Sequence, residues 1–240
     1  MIKFFRKIRY DLMEKNKSGK YFKYAIGEII LVVIGILIAL QINNWNEVRK
    51  SKTKGTTILK EIRSDMLKDL EIIEDLKPYW GREIMYFKKV FPSFKPRKEI
   101  AIFADIDTIS QISYSQLFGY DMPFRSNISA FSSMIADGNS DLITNDTLFS
   151  KIQRFYTFNA PTNEDLFNLL RQRSSELEYK YAHIITYKPY KNISDLTDEY
   201  LIADLNIYFQ SKNFYYWRTF VINERRLRDI IAQIDKELEQ

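Results

Sequence analysis

The stretch that determines how this chain is organised is Ala25-Ile-Gly-Glu-Ile-Ile-Leu-Val-Val-Ile-Gly-Ile-Leu-Ile-Ala-Leu-Gln-Ile42. No polar side chain occurs in it between Ile29 and Leu40. The 22 residues from Tyr24 to Trp45 would form a helix about 31 Å long, which matches a hydrocarbon core of about 30 Å. We therefore predict a transmembrane helix over residues 21–45.

A cleaved signal peptide is the competing interpretation of this apolar run. Its apolar region would be about 7–15 residues long and would be followed by a small-residue cleavage site. The run here is longer, and Leu40-Gln-Ile-Asn-Asn44 contains no such site. We therefore expect an uncleaved signal anchor, and a single-pass protein because no second run of about 18 apolar residues follows.

The net positive charge is confined to the segment before the apolar run. Residues 1–24 hold eight basic and two acidic side chains, whereas residues 29–240 hold 28 of each. The flank after the run, residues 43–60, holds five basic side chains. Because basic flanks stay in the cytoplasm, we predict a cytoplasmic N-terminus and an extracytoplasmic domain over residues 46–240.

The charge distribution also bears on which partners the protein can have. A nucleic-acid-binding protein needs a basic face on its folded part, where the charges here cancel, so we predict no nucleic-acid partner. The basic segment 1–20 has apolar residues near helical spacing. It is expected to form a short amphipathic helix on the lipid bilayer, and a merely solvated tail is the alternative.

Several residues of the apolar run are candidates for contacts with a partner. Gly27, Leu31, Gly35 and Ala39 share one helical ridge, and small residues allow two membrane helices to approach closely. This ridge predicts a homo-oligomer or a partner membrane protein, although glycine is also ordinary in membrane helices. Glu28 lies about one turn inside the boundary, so it is either functional or simply reaches water.

The far boundary of the run is marked by polar and aromatic side chains. Amides there can solvate the helix end, and a tryptophan suits the membrane interface. The predicted membrane or partner contacts are therefore Gly27, Glu28, Gly35, Ala39, Gln41, Asn43, Asn44 and Trp45.

The remainder of the chain predicts an all-α fold, a helical bundle. An apolar stripe at helical spacing runs from Ile58 to Leu76, and its helix should stop before Pro78, with Gly55 able to loosen the link to the membrane helix. Residues 79–94 predict a second helix. Residues 100–103 could form a short strand, and a helix is expected over residues 107–118.

The later segments are also predicted as helices. A helix from Ser129 should end at Gly138, and Asn145 or Thr144 should cap the next one, which places Leu148 and Ile152 inward. Further helices are predicted over residues 161–187, capped by Thr162 and with Leu169 inward, and over residues 212–238.

The sequence offers little that suggests enzymatic chemistry. There is no cysteine, and the single histidine, His183, lies in a predicted helix among apolar residues. The polar cluster over residues 137–146 lacks the spacing of an EF-hand loop, and turn and capping roles explain its members. We therefore predict no catalytic residue, no cofactor and no metal site, and a protein that is not an enzyme.

Two segments resemble a family of uncharacterised bacterial membrane proteins. The first is residues 20–47, and the second is residues 138–156, which contain Leu-Ile-Thr-Asn-Asp-Thr-Leu148. The family pattern has Lys-Ser-Ser-Gly before the Leu-Ile pair, whereas this chain has Ser-Ser-Met-Ile-Ala-Asp-Gly138. The resemblance implies a single-pass inner-membrane protein of unknown activity, with a signature formed by Gly27, Glu28, Gly35, Gln41, Asn43, Asn44 and Trp45.

Two functions remain open from the sequence. The first is a membrane-anchored interaction or scaffold protein, which requires only the basic segment, the small-residue ridge and a neutral helical domain. The alternative is an extracytoplasmic ligand-binding, sensor-like module. Such a module would act through a partner membrane protein, because residues 1–24 leave no room for an output domain.

Overall fold

The computed structural model describes residues 18–103, 122–187 and 196–239, and these residues contain helices and turns but no strand. The prediction of an all-α fold is confirmed for them. The helices are α1 (Ser18–Val90), α2 (Ser129–Ala136), α3 (Asp146–Arg154), α4 (Ala160–Lys180), α5 (Ala182–Tyr187), α6 (Glu199–Tyr216) and α7 (Asn223–Leu238). Two π-helical turns connect helices, π1 (Phe155–Asn159) and π2 (Trp217–Ile222).

The chain divides into two compact units between Lys54 and Gly55. In the first unit, α1 carries the apolar run. An 18-residue window of this helix has a mean hydropathy of 2.6, and none of it is buried within the protein. By length and composition the helix could therefore span a membrane.

In the second unit, α1 does not end before Pro78 as the sequence predicted. It continues to Val90, with Pro78 inside the helix. A proline inside a helix removes one backbone hydrogen bond and costs about 3 kcal/mol. Trp80, Ile84 and Phe87, beyond the proline, are all buried, and their packing offsets that cost. The predicted second helix over residues 79–94 is thus the last part of α1.

Gly55 lies within α1, where it permits a close contact with a distant turn. A Cβ atom at this position would lie 2.5 Å from the backbone oxygen of Leu142. Leu142 belongs to the 3₁₀ turn Ser140–Leu142. The absence of a side chain at Gly55 therefore serves packing rather than a loosened link.

The second unit is built on α1 and two interrupted helices. Arg63 on α1 lies 2.5 Å from Asp235 on α7, and Lys77 lies 2.6 Å from Glu224, so the two helices run antiparallel. Trp80 fills the centre between α1, α4 and α6. Its ring centroid lies 6.4 Å from that of Phe167 and 4.7 Å from that of Tyr215.

Two carboxylates of α1 hold the segment that leads into α2. Asp69 accepts hydrogen bonds from the hydroxyl of Ser126 and, at 2.7 Å, from the backbone amide of Asn127. Asp65 accepts from the backbone amide of Ala130 at 3.0 Å, in the first turn of α2. The start of α2 is therefore capped by a side chain of another helix.

The predicted end of α2 and start of α3 are confirmed. Gly138 has a φ of +67°, in the left-handed region that ends many helices. The side chain of Asn145 accepts a hydrogen bond from the amide of Leu148 at 3.1 Å and caps α3. Leu148 and Ile152 are fully buried, as their spacing predicted.

Other sequence predictions are wrong in detail. Residues 101–103 form a 3₁₀ turn rather than a strand. Thr162 caps nothing, because α4 continues from π1 and the Thr162 hydroxyl donates to the carbonyl of Phe158 at 2.6 Å. Leu169 is exposed, and the last helical segment begins at Glu199, where Asp198 caps α6. The helix predicted over residues 107–118 lies outside the described residues.

Candidate ligand-binding site

The residues predicted as membrane or partner contacts all lie along the apolar part of α1. A Cβ atom at Gly27 or Gly35 would meet nothing within 4 Å. Trp45 is exposed, with the guanidinium of Arg49 5.6 Å from its ring centroid. Glu28 is half-buried within the protein. The other predicted positions are exposed, namely Gly27, Gly35, Ala39, Gln41, Asn43, Asn44 and Trp45. Because they are spread along and around one helix, these residues do not converge on a single site.

A different group of side chains converges in the second unit, between the two interrupted helices. One of these comprises α3, π1 and α4, and the other comprises α6, π2 and α7. Lys151 on α3 lies 2.7 Å from Asp229 on α7, and Arg173 on α4 lies 2.8 Å from Ser211 on α6. The interrupted helices therefore run antiparallel, which places π1 and π2 at the same level.

The two π-turns interrupt similar local sequences. Phe155-Tyr-Thr-Phe-Asn-Ala-Pro-Thr-Asn163 and Tyr215-Tyr-Trp-Arg-Thr-Phe-Val-Ile-Asn223 each have a tyrosine, a small polar residue three positions later and an asparagine four positions after that. In each helix a π-turn lies within this pattern. Turns of this kind occur frequently at functional sites, because the wider turn redirects side chains.

The polar members of these two patterns are buried, and we refer to Asn159, Asn163, Thr219 and Asn223 as the polar layer. Their side chains are 3%, 1%, 0% and 0% exposed, respectively. The antiparallel register places Asn159 opposite Asn223 and Asn163 opposite Thr219. The polar layer therefore crosses the interior between the interrupted helices.

The described part of the chain does not satisfy the hydrogen-bonding groups of the polar layer. Oδ1 of Asn159, Oγ1 of Thr219, and both Oδ1 and Nδ2 of Asn163 and of Asn223 are buried without a hydrogen bond to any described residue. Each such group costs roughly 1–3 kcal/mol when nothing meets it. Buried polar groups are normally met by protein, ordered water or a ligand. The arrangement therefore suits a small polar occupant.

Three arginines are neighbours of the polar layer along the chain, and we refer to them as its edge. They are Arg154 at the end of α3, Arg218 in π2 and Arg226 in the first turn of α7. Nη1 of Arg226 is buried and has no hydrogen bond to any described residue. Burial lowers the pKa of the Arg226 guanidinium, and the charges of Arg218 and Arg154 lower it further. The edge is thus strongly cationic.

On another side, the polar layer is adjacent to the carboxylates of α1. Tyr156 precedes Asn159 by one turn, and its hydroxyl is buried without a hydrogen bond to any described residue. Burial raises the pKa of this phenol, and the charges of Asp69 and Asp65 raise it further. Tyr156 is therefore close to both acids, with its ring stacked on Phe131 at a centroid distance of 4.9 Å.

Sequence reasoning missed the polar layer, although a signal was present. Asn159 and Asn163 continue the helical face of Leu148 and Ile152, which their spacing predicts to lie inward. Polar residues at core positions are costly, so their occurrence there indicates a function or a buried network. His183, by contrast, is exposed on α5.

Comparison with known proteins assigns no activity to this site. A family model described as a family of unknown function, DUF6090, matches residues 28–188, about two thirds of the chain. The match includes Glu28, most of α1 and all of π1 and α4. No curated protein and no solved structure matches the chain. The expectation of a family without an assigned role is thus confirmed.

Proposed function

We propose that this chain, which belongs to the DUF6090 family of unknown function, is a membrane-anchored helical protein that binds a small polar ligand. The single observation that carries the proposal is the polar layer, with its six buried polar atoms that no described residue meets. A ligand that bonds to these atoms gains the hydrogen bonds that the protein itself leaves unmade. This supports the ligand-binding function over the scaffold function.

The chemistry of the polar layer favours binding over catalysis. Asparagine and threonine side chains donate and accept hydrogen bonds but do not titrate in the physiological range. Arginine remains protonated and acts as a fixed charge. We therefore propose that the site recognises its ligand without transforming it, and that the protein is not an enzyme.

A thermal-unfolding experiment tests the binding proposal. The purified full chain in lipid nanodiscs is unfolded in the presence of small neutral and charged polar solutes, with circular dichroism as the signal. A solute that binds should raise Tm by roughly 5–10 °C at a concentration 100 times its Kd. Asn223→Leu should abolish the rise, while the control Asn168→Leu, on the exposed face of α4, should keep it. If no class of solute shifts Tm, the proposal is wrong.

We propose that the apolar part of α1 anchors the protein in a bacterial inner membrane, with the N-terminus in the cytoplasm and the second unit in the periplasm. The uninterrupted apolar surface of this helix and the basic flank before it support this orientation. Because the chain has no cysteine, single cysteines can report the side of the membrane. With the N-terminus inside, a membrane-impermeant maleimide should label Ser150→Cys in intact cells and should not label Ser18→Cys.

We also propose that the membrane helix pairs with a second copy of itself through Gly27, Gly35 and Ala39. The open space beside the two glycines supports close approach of another helix. Gly35→Leu should reduce crosslinked dimer in native membranes, whereas Val33→Leu, away from this ridge, should not. Equal crosslinking of both variants would contradict the pairing.

A further inference from the structure

The three arginines beside the polar layer differ from the ion-paired arginines of the second unit. Arg63 lies 2.5 Å from the carboxylate of Asp235, and Arg228 lies 3.0 Å from those of both Glu74 and Glu224. The side chains of Arg154, Arg218 and Arg226 make no hydrogen bond or ion pair with any residue within the described parts of the chain. Within the described ranges, no carboxylate therefore pairs with their charge.

Positive charges of this kind repel one another, and burial makes the repulsion more costly. Arg226 and Arg218 are partly buried, whereas Arg154 is exposed. Both burial and the charges of its two neighbours oppose the charge of Arg226. A chain gains nothing in stability from this arrangement. It gains affinity, however, if an anion binds to the buried Nη1 of Arg226.

The inference rests on the proposed function, and it specifies the class of ligand. We propose that the ligand of the polar layer carries an oxyanion, a carboxylate or a phosphate, which pairs with Arg226 and is attracted by Arg218 and Arg154. The planar guanidinium fork of arginine matches either oxyanion with two parallel hydrogen bonds. The remaining polar groups of the ligand bond to the asparagine amides and to the Thr219 hydroxyl.

The arrangement discriminates against other ligand classes. A metal cation would be repelled by three guanidinium groups, and no carboxylate belongs to the polar layer. A neutral polar solute could use the amides, but it would leave the buried Nη1 of Arg226 without an acceptor, which is costly. An oxyanion satisfies both the amides and the arginine.

Calorimetric titration of the full chain in detergent micelles tests this. The probes are inorganic phosphate, succinate and succinamide, the last being the neutral diamide with the shape of succinate. We expect phosphate or succinate to bind and succinamide to bind at least about tenfold more weakly, because a charge-assisted bidentate pair is lost. The affinities for phosphate and for succinate show which of the two oxyanions, a phosphate or a carboxylate, the site binds.

Variants that remove one charge complete the test. Arg226→Gln should weaken oxyanion binding at least about tenfold, and Arg218→Gln should also weaken it, whereas Arg171→Gln, on the exposed face of α4, should not. If succinamide binds as tightly as succinate, or if Arg226→Gln and Arg218→Gln both bind like Arg171→Gln, the oxyanion inference is wrong while the proposed function stands. If none of the probes and no other polar solute binds, both are wrong.

Discussion

The ammonium group of Lys212 lies 2.5 Å from the carboxylate of Glu83, and both side chains are buried. The pair joins α6 to α1 beside the aromatic centre of the second unit. Nζ of Lys212 also lies 5.4 Å from the ring centroid of Trp80 and 5.2 Å from that of Tyr208. The charge of Lys212 is thus balanced by a carboxylate and by aromatic faces, in contrast to the charges of the arginines beside the polar layer.

Removing the buried ammonium group should destabilise the second unit. In Lys212→Met the side chain keeps a similar length, but the buried Glu83 carboxylate loses the ammonium, which costs roughly 3–5 kcal/mol. Urea unfolding of the full chain in detergent micelles measures this loss. The control Lys151→Met breaks the exposed pair with Asp229 and should change the free energy of unfolding much less. Equal losses in the free energy of unfolding would show that the buried pair stabilises the protein no more than the exposed pair does.

A methyl group at Gly55 should separate α1 from the turn that contains Leu142. In Gly55→Ala the new Cβ atom would lie 2.5 Å from a backbone oxygen, so the backbone must shift, at a cost of about 1–3 kcal/mol. Thermal unfolding followed by circular dichroism measures the effect. Ser51→Ala, at an exposed position of the same helix, is the control. An unchanged Tm for Gly55→Ala would contradict the close contact.

The carboxyl group of Asp69 should make the stability of the second unit depend on pH. Burial, the largest influence, raises the pKa of Asp69 above its ordinary value of 3.8, and the hydrogen bonds from Ser126 and Asn127 reduce that rise without cancelling it. At a pH between the pKa of Asp69 in the unfolded chain and its higher pKa in the folded chain, the folded chain binds more protons than the unfolded chain. The contribution of Asp69 to stability therefore falls as pH rises from 3.8 through the folded pKa.

Comparison with Asp69→Asn isolates this contribution, because the variant lacks the titrating group. The free energy of unfolding of the original chain should fall relative to that of Asp69→Asn as the pH is raised from about 3.8 through the folded pKa. Urea unfolding at a series of pH values measures the difference. A difference that stays constant over this series, or that rises with pH, would show that the pKa of Asp69 is not raised.

Features with a local cause could be predicted from the sequence. The apolar run, the glycine at position 138 and the asparagine at position 145 each act through their own backbone or through neighbours a few residues away. The continuation of α1 past Pro78 could not be predicted in this way. It depends on the burial of Trp80 and Phe87 against α4 and α6, a tertiary contribution that outweighs the local preference.

The polar layer depends on tertiary structure even more than the continuation of α1 past Pro78 does. Each asparagine alone is an ordinary polar residue in a helix. Only the antiparallel register places Asn159 opposite Asn223, and only the packing shows that Oδ1 of Asn159 and the amide of Asn223 meet no partner among the described residues. The repeated tyrosine and asparagine spacing is the sequence signal that predicts this relationship between the two interrupted helices.

The central claim is that the polar layer is kept for ligand binding at a cost in stability. Asn223→Leu and Asn163→Leu keep the branched skeleton of four heavy atoms and remove buried polar atoms that no described residue satisfies. The most direct measurement is the urea unfolding of these variants, with and without the ligand that raises Tm in the original chain. The account predicts that the unliganded variants gain about 1 kcal/mol or more and lose the ligand effect. Variants that are less stable and still respond to the ligand would contradict it.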